Sequence, residues 1–536
     1  MSRAVLVWGI WAALTLGGVG YVAWFGRNCP YMDEWSFLAV YEGEHEFLPW
    51  LWEPHFEHRY PLGRLVYIGL FRVTGDLRAG MVLSVLCLSG AAALLTAAAG
   101  RIRGRCSLAD VFFPLALLHP GHRENVLMSY QVCFTLPVLI AAGLAYLTIR
   151  PPEVWGRRRA AAAGLLTALL PGFGLGGLVL TVGVAAPLAV LALLLVRRGA
   201  RGPAVVLAAG LAVAVSGVVV VLATYPGTDP PGIRRSVGAL WGFTTRISAM
   251  GFGPAAEWLW PPATIAVWVV LGRGLSDLCR AGLTGEAAGA VAALAVPVGG
   301  GLLAAALVWG RGWAGADGAL ASRYAALMLP LTSAAFLVAV RFGGPRLRAW
   351  GPGSLAVLAA VAWPINVAGG VEQAGRVARQ TDAIEADLAA GPPPRLIAER
   401  YDWQLWRAHP YMGLAFEWAA RIGFRPFRGH DLAPPVGLRT TPVALPDGVR
   451  GVLFPPGTVA RLTGAFVQPQ HRFADIRVRV FTADGAELRD ETFCVVKSAP
   501  SHLIVHLDGR PTRIEVTTGH TEGEYRITAA EVIGRE

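Results

Sequence analysis

The sequence has almost no lysine and few charged residues of any kind. Lys497 is the only lysine, and Asp, Glu, Lys and Arg together make up 15% of the 536 residues, whereas 54% are hydrophobic. So low a charge content excludes an ordinary soluble globular protein. The use of arginine in place of lysine, with abundant alanine and glycine, is typical of a GC-rich bacterial genome. The formal net charge of +11 comes from short arginine clusters between apolar runs, which indicates membrane orientation rather than nucleic-acid binding.

The cysteines form no recognisable motif, and the first apolar stretch is not expected to be a cleaved leader. None of the six cysteines lies in a CxxC or other metal-ligand spacing. Cys29 and Cys494 are both expected outside the membrane and could form a disulfide, although packing as small apolar side chains accounts for most of the six. Residues 4–25 follow a positively charged start, but the stretch is too long for a signal peptide and no small-x-small cleavage site ends it. We therefore interpret it as an uncleaved first helix.

Long apolar runs predict a polytopic α-helical membrane protein with about eleven transmembrane helices, because most runs approach the ~20 residues that cross a hydrocarbon core. The predicted spans are 4–25, 79–100, 107–119, 131–149, 159–174, 176–196, 203–224, 262–272, 287–309, 323–340 and 352–369. Spans 107–119 and 262–272 are short for a full crossing and are expected to draw on the flanking polar sequence.

The connections between spans alternate in charge. Short ones at 101–105, 150–159, 197–201, 273–280 and 341–348 are rich in arginine, whereas the intervening ones are longer and carry more Trp, Pro, His and acidic residues. The positive-inside rule places the arginine-rich set in the cytoplasm. The N-terminus is then cytoplasmic, and we expect a multi-pass protein of a bacterial inner membrane.

The apolar stretch 159–196 is interrupted at 171–174 and predicts either a helical hairpin or one long helix. As a single helix it would place the arginines of 197–201 outside, and every later connection would break the positive-inside rule. We therefore predict a hairpin that turns at the outer face.

The chain after the last span is expected on the periplasmic side. The predicted domains are a transmembrane domain at 1–370 with an external loop at 26–78, an amphipathic helical segment at 371–435 and a β-sandwich at 436–536. Aromatic residues of the helical segment suit a membrane-surface helix, namely Tyr401, Trp403, Trp406, Tyr411, Phe416 and Trp418. Residues 476–480 alternate apolar side chains with arginine, and Asp484-Gly485 supplies a hairpin turn, which favours the sandwich.

Charged groups are concentrated in three predicted external segments, of which the first is the loop 26–78. Asp33 and Glu34 follow the first helix closely, so their carboxylates are expected near the headgroup plane. Partial burial there would raise the pKa of a general base, whereas solvated loop acids are the alternative. The loop also carries the candidate ligand-binding residues His55, Glu57, His58, Arg59 and Arg64. The spacing of His55 and His58 suits a metal, but no third ligand matches it.

The second and third segments lie later in the chain. Residues 119–131 hold His119, His122, Arg123, Glu124, Asn125 and Gln131 between two apolar spans. Such groups near lipid must pair with one another or with a ligand. In the third segment, residues 310–327, Arg323 and Tyr324 begin a helix at the outer surface, where a guanidinium suits the oxygens of a lipid phosphate. A self-satisfied polar network and a snorkelling anchor are the respective structural alternatives.

Three of these features resemble the GT-C superfamily of membrane glycosyltransferases. They are Asp33-Glu34 after the first helix, the interfacial aromatic residues of the same loop, and Ser322-Arg323-Tyr324 at the start of a late helix. The sequence is most similar to the protein O-mannosyltransferase and aminoarabinose-transferase-like group, and the similarity covers residues 1–430 as architecture. It departs from that group's signature in the histidines of the external segments, His55, His58, His119 and His122.

The resemblance implies a transferase that takes a sugar from a polyprenyl-phosphate donor on the periplasmic side and inverts the anomeric centre. Asp33 would be the catalytic base, with Glu34 or Glu57 orienting the acceptor. Arg323 would neutralise the departing phosphate, helped by Arg59, Arg64 or Arg123. The remaining residues predicted to bind substrate are His55, His58, His122, Glu124, Gln131 and Tyr324.

The implied partners are the lipid bilayer, the lipid-linked donor and a glycan, lipid or protein acceptor, with no nucleic acid. No cofactor is required and no metal ligand is assigned, although some GT-C enzymes use a divalent ion. A transporter or flippase of lipid-linked sugars is the alternative function, but it would need midplane polar residues, which are few here. A non-catalytic scaffold that displays the sandwich would leave the three external segments without a role.

Overall fold

The architecture of the chain is seen in a computed structural model. It describes residues 2–43, 46–55, 58–149, 155–225, 236–283, 287–390, 397, 400–401, 412–429, 438–445, 451–455, 459–467, 473–496, 501–507, 511–518 and 524–535.

Helices fill most of the chain, and strands are confined to its C-terminal region. The helices are α1 (Arg3–Phe25), α2 (Leu38–Glu42), α3 (Phe47–Trp52), α4 (Pro61–Thr74), α5 (Arg78–Arg103), α6 (Phe112–Leu117), α7 (Arg123–Leu127), α8 (Val132–Thr148), α9 (Arg157–Leu169), α10 (Gly174–Arg197), α11 (Arg201–Ala223), α12 (Val237–Ala249), α13 (Ala256–Ala281), α14 (Ala287–Ala293), α15 (Ala295–Arg311), α16 (Gly315–Gly318), α17 (Arg323–Phe342), α18 (Pro345–Ala390) and α19 (Met412–Ile422). The strands are β1 (Leu438–Pro442), β2 (Gly451–Phe454), β3 (Val459–Phe466), β4 (Phe473–Thr482), β5 (Glu487–Val496), β6 (Ser501–His506), β7 (Thr512–Thr518) and β8 (Tyr525–Arg535).

The chain divides into two compact units. Unit 1 comprises Met1–Gly26 and Glu46–Gly375, and unit 2 comprises Arg27–His45 and Arg376–Glu536. The division differs from the predicted domains because Arg27–His45, the first part of the predicted external loop, is grouped with the C-terminal region.

Unit 1 has the composition and helix lengths of a membrane domain. Within the described residues, nine helical segments are long and apolar enough to cross a bilayer. They are Arg3–Phe25, Arg78–Arg103, Ser129–Thr148, Arg157–Arg197, Arg201–Ala223, Ala256–Ala281, Ala287–Gly318, Arg323–Phe342 and Pro345–Ala389. The prediction of a polytopic helical membrane protein is confirmed at this level, and the short span at 262–272 is part of the longer α13.

The span predicted at 107–119 is not a continuous helix. A 3-10 turn at Leu108–Val111 leads into α6, and the chain then becomes extended at His119 because a residue before proline is held out of the helical region. Arg103 pairs with Asp110 at one end of α5, and Gly80 lies against Ser129 at the other end. The chain therefore returns along α5 through α6 and a series of short turns, and not as one continuous helix.

The hairpin predicted around 171–174 is present. A 3-10 turn, Leu170–Phe173, separates α9 from α10. Gly164 of α9 contacts Gly210 of α11, and Pro171 contacts Gly217, so α9 and α11 run parallel. Leu178 near the start of α10 instead packs with Val218 and Val221 near the end of α11. Because α10 is antiparallel to α11, it is also antiparallel to α9.

The contact between α9 and α11 depends on glycine. A Cβ on Gly210 would lie 2.5 Å from the Cα of Gly164, and backbone atoms at that distance can move apart only if the helices separate. We expect Gly210→Ala to cost about 1–3 kcal/mol of stability through overpacking, seen as a lower thermal midpoint in detergent. Gly17→Ala in α1 is the matched control, since its Cβ would meet nothing within 4 Å. Equal midpoints for the two variants would contradict the close approach.

Two of the predicted cytoplasmic connections, 273–280 and 341–348, meet at one end of unit 1, beside the end of α8. Arg341 donates to the carbonyl of Ile149 at 2.6 Å, and the Gly344 N–H donates to Asp277 at 2.9 Å. The residues around 119–125 and 322–324 lie at the other end, where Tyr21 donates to the Gly370 carbonyl at 2.8 Å. Connections 273–280 and 341–348 thus lie at the end of unit 1 opposite residues 119–125 and 322–324.

The strands of unit 2 form two antiparallel sheets of four strands each, with the orders β1-β8-β3-β6 and β2-β7-β4-β5. Inward side chains of both sheets form one core, as in a β-sandwich. The predicted alternation is confirmed, because Ile476, Val478 and Val480 are fully buried while the intervening Arg477 is exposed. The hairpin turn between β4 and β5 contains Gly485 in the left-handed region, with φ of 94°.

The helical part of unit 2 has its own aromatic core. Tyr401 and Phe416 are two of the aromatic residues from which a membrane-surface helix was predicted, and both are buried in this core. The Tyr401 hydroxyl donates to Asp387 at 2.7 Å, and Arg400 pairs with Asp387 at 3.2 Å and with Glu491 of β5 at 2.8 Å. Trp403, Trp406 and Tyr411 lie outside the described residues.

Candidate active site

A polar cluster occupies the end of unit 1 opposite the arginine-rich connections. A 3-10 turn, Pro120–His122, begins at Pro120, because the fixed φ of proline suits the first position of a helix. Helix α7 follows directly. We call the group formed by His122, Arg123, Glu124, Asn125, Ser322 and Arg323 the polar cluster. Its buried members need partners, because an unpaired polar group away from water is costly.

Glu124 joins α7 to the start of α17. Its carboxylate accepts the Arg323 N–H at 3.1 Å and lies 3.6 Å from the Arg323 guanidinium and 3.5 Å from that of Arg123. The Glu124 side chain is 18% exposed, and that of Arg323 is 41% exposed. Burial acts to raise the pKa of Glu124, but the charges of Arg323 and Arg123 and the Arg323 N–H outweigh it, so its pKa lies below the usual range. Glu124 is therefore an ionised anchor for Arg323.

Neighbouring groups strengthen the same junction. The Glu124 N–H donates to the Ser322 hydroxyl at 3.3 Å, and the Asn125 amide donates to the Ser322 carbonyl at 3.1 Å. Arg323 is the first residue of α17 and so stands at the positive end of the helix dipole. A partly exposed guanidinium fixed at that place can bind an anionic oxygen without losing much side-chain entropy.

Two amides of α18 were not predicted from the sequence, and one of them, Gln373, supports the cluster. Gln373 accepts from Nε of Arg123 at 3.3 Å. Asn366 accepts from the Ala255 N–H at 2.8 Å and donates to the Phe252 carbonyl at 2.7 Å, which fixes the turn before α13. The signal that could have found Asn366 is its isolated amide within the apolar span 352–369, since such polar residues are rarely tolerated without a partner.

Two histidines of the 119–125 segment stack inside the protein. The rings of His119 and His122 lie 4.3 Å apart between centroids, at 22°, and both residues are buried. Nε2 of His122 lies 3.0 Å from the Ala116 carbonyl, and Nδ1 lies 3.4 Å from the Asn125 amide. Burial lowers the pKa of His122 to about 4. The ring is therefore neutral at physiological pH and acts as a structural support for the cluster.

The buried His122 should make the protein sensitive to acid. An unfolded histidine binds its proton near pH 6.5 but the folded one only near pH 4, so stability is complete above pH 6.5 and falls as the pH drops towards 4, by up to about 3 kcal/mol. We expect the thermal midpoint in detergent to fall between pH 7 and pH 5. His122→Gln should reduce that slope, because glutamine can keep the bond to Ala116 but does not titrate. An unchanged slope would contradict the assignment, and Glu124 does not interfere above its ordinary pKa of 4.5.

Gln131 and Tyr324 are both buried beside the cluster. The Gln131 amide donates to the sulfur of Met128 at 3.6 Å. The Tyr324 ring lies 6.2 Å from that of Phe243, which α12 contributes. These contacts are packing contacts, so the predicted role of both residues in substrate binding remains a prediction.

The loop residues predicted to bind substrate have their own surroundings in unit 1. His55 and His58 exchange backbone hydrogen bonds at 2.8 and 2.9 Å, and the His55 ring lies 5.9 Å from Tyr60 and 6.4 Å from Tyr130. Glu57 lies outside the described residues. In the described part of the chain, no three His, Cys, Asp or Glu side chains come together as a metal site would need.

Arg59 and Arg64 are engaged with backbone carbonyls. Arg64 is buried, donates to the carbonyls of Trp50 and, at 2.8 Å, Glu53, and lies over the Trp50 ring. Arg59 donates to the carbonyl of Trp52 and, at 2.7 Å, to that of Thr224. Arg64 therefore joins α4 to the end of α3, and Arg59 joins the loop to the end of α11, which favours a structural role over phosphate binding.

The acidic pair Asp33-Glu34 belongs to unit 2. Both residues lie in a 3-10 helix, Met32–Phe37. Glu34 is fully buried, and its carboxylate accepts the Tyr31 N–H at 3.0 Å as a helix cap. Asp33 is half-buried. The two carboxylates therefore differ, since Glu34 is a buried helix cap and Asp33 is partly exposed.

Two neighbours of the pair show how tightly it is held. Met32 has φ of 53°, a left-handed conformation that costs a non-glycine residue about 1–3 kcal/mol and persists only where the surroundings impose it. Cys29 is a buried free thiol, not a disulfide partner, and burial followed by the nearby charge of Glu34 raises its pKa.

Comparison of the chain with models of protein families, with curated proteins and with solved structures finds no match.

Proposed function

We propose that the chain is a membrane glycosyltransferase of the GT-C type, which transfers a sugar from a polyprenyl-phosphate donor to an acceptor at the outer face of a bacterial inner membrane. The alternation of arginine-rich connections supports eleven crossings, with the broken segment 107–119 and both arms of the 159–196 hairpin counted as crossings. The N-terminus is then cytoplasmic, and the β-sandwich is periplasmic.

The position of Arg323 carries the proposal. It begins α17 at the end of unit 1 opposite the arginine-rich connections, it is 41% exposed, and Glu124 holds both its N–H and its guanidinium. A transporter would be expected to place its charged groups near the membrane midplane. A fixed guanidinium at one membrane surface suits instead the phosphate of a lipid whose tail stays in the bilayer.

The proposed reaction uses a carboxylate as the general base and a guanidinium to stabilise the leaving phosphate. The acceptor hydroxyl attacks the anomeric carbon while Asp33 takes its proton, and the bond from that carbon to the phosphate oxygen breaks with inversion. The electron pair leaves with the polyprenyl phosphate, whose growing charge Arg323 stabilises. This scheme requires no metal, because the guanidinium supplies the neutralising charge.

The direct test uses the purified protein in proteoliposomes with radiolabelled polyprenyl-phosphate sugars and an envelope extract as the acceptor source. The proposal expects label to appear on an acceptor together with an equal amount of released polyprenyl phosphate. Movement of intact donor between leaflets without release would support the transporter instead. Absence of both release and movement across a panel of common sugars would contradict both functions.

A further inference from the structure

The acidic pair is held by aromatic residues that lie almost 400 positions later in the chain. Trp35, in the same 3-10 helix as Asp33, is 2% exposed. Its ring lies 5.8 Å from Phe416 at 65° and 5.4 Å from Phe427 at 89°, and the two phenylalanine rings stack at 5.1 Å. Edge-to-face contacts of this kind fix ring orientation as well as burying area. We call these three residues the aromatic clamp.

Helix geometry explains how the clamp controls Asp33. In a 3-10 helix, successive side chains point about 120° apart, so Asp33, Glu34 and Trp35 face three different directions. Glu34 and Trp35 are both buried, which directs Asp33 to the remaining, half-buried side. A rotation of the turn about its axis would require Trp35 to leave the clamp.

Two further contacts hold the ends of the same stretch. Arg27 binds Asp382 of α18 with two parallel bonds, Nε to Oδ1 at 2.9 Å and Nη2 to Oδ2 at 3.0 Å. Tyr41 lies 6.2 Å from Phe424, ring to ring. The stretch from Arg27 to Tyr41 is therefore held at Arg27 by α18, at Trp35 by α19 and the turn after it, and at Tyr41 by the same turn.

We propose that the aromatic clamp positions Asp33 for catalysis, so that the helical part of unit 2 belongs to the catalytic machinery. Trp35, Phe416 and Phe427 are positioning residues, since they act through Asp33 and touch no reacting atom. The inference rests on the proposed function. It adds that the region after the last transmembrane helix is needed for the chemical step itself.

The test is Phe427→Leu, measured in the proteoliposome transfer assay. Leucine keeps an apolar side chain in the clamp but loses the ring that holds Trp35. We expect kcat to fall about 10–100-fold, because a misplacement of about 1 Å at a reacting group has effects of that size, with KM for the lipid donor unchanged within about twofold. The milder Trp35→Phe provides a second variant if Phe427→Leu folds poorly.

Phe454→Leu is the matched control. Phe454 is fully buried in the sandwich core of the same unit, so the substitution and the burial are alike but the clamp is untouched. It should lower the thermal midpoint while kcat stays near the wild-type value. In an Asp33→Asn background, Phe427→Leu should have no further effect on kcat, because the group that it positions no longer acts.

The outcomes separate the two proposals. If Asp33→Asn is inactive but Phe427→Leu and Trp35→Phe both keep wild-type kcat, the clamp does not position Asp33, and the transferase proposal stands. If Asp33→Asn retains full transfer, the role of Asp33 in the proposed function is wrong, whatever the clamp variants show.

Discussion

Asp33→Asn is expected to lower kcat for sugar transfer by about 10²–10⁴-fold, the range over which a general base contributes. The amide has nearly the same shape as the carboxylate but cannot take a proton from the acceptor hydroxyl. Asp33 is half-buried and is not the residue that caps its helix, so folding should be unaffected. The measurement is single-turnover transfer in proteoliposomes, with donor binding and the thermal midpoint recorded on the same preparations.

Asp490→Asn is the control for this prediction. Asp490 lies in unit 2 on the outer surface of the sandwich, where it pairs with Arg477. The same chemical change there removes only an exposed ion pair, which contributes little, so transfer should match the wild type. Full transfer by Asp33→Asn would remove the general base from the proposed mechanism.

Arg323→Ala should have the second-largest effect, a loss of about 10²–10³-fold in kcat/KM, because one preorganised donor at a developing charge contributes that much. The affinity for the product polyprenyl phosphate should fall as well, since the same guanidinium faces the phosphate in both states. Arg323→Lys should recover part of the loss, as it keeps the charge but not the planar pair of donors. Binding is measured by titration of polyprenyl phosphate into protein in nanodiscs.

Two further variants test whether the effect is specific to Arg323 and to the carboxylate that holds it. Arg346→Ala removes an exposed arginine at the opposite end of unit 1 and should change nothing. Glu124→Gln removes the carboxylate that holds Arg323 and should reduce kcat/KM by less than Arg323→Ala. The double variant should be no worse than Arg323→Ala alone, because Glu124 acts through Arg323. Equal activities for Arg323→Ala and Arg346→Ala would contradict a phosphate site at the start of α17.

Local sequence patterns predicted the helices and strands more reliably than they predicted the contacts of the site residues. The reversal at 171–174 and the strand at 476–480 depend on features that lie within a few residues, namely a proline-glycine interruption and a period of two. The span at 107–119 was wrong as a continuous helix because apolar composition does not report where Pro120 ends a helix early. Arg59 and Arg64 appeared as phosphate ligands for a similar reason, since the carbonyls that they bind cannot be seen in sequence.

The sequence by itself determined that this is a helical membrane protein and predicted that its arginine-rich connections lie on one side. The reason is that the cost of moving charged groups from water into lipid acts on every span separately. It also identified 119–131 and 310–327 as polar segments. Only the tertiary structure decided that Glu124 holds Arg323, that Gln373 supports Arg123, and that Asp33 and Glu34 have different environments. These properties depend on contacts between residues far apart in the chain, such as Trp35 with Phe416 and Phe427. Such contacts form only when separate elements bury their side chains together, and no local periodicity records which elements those are.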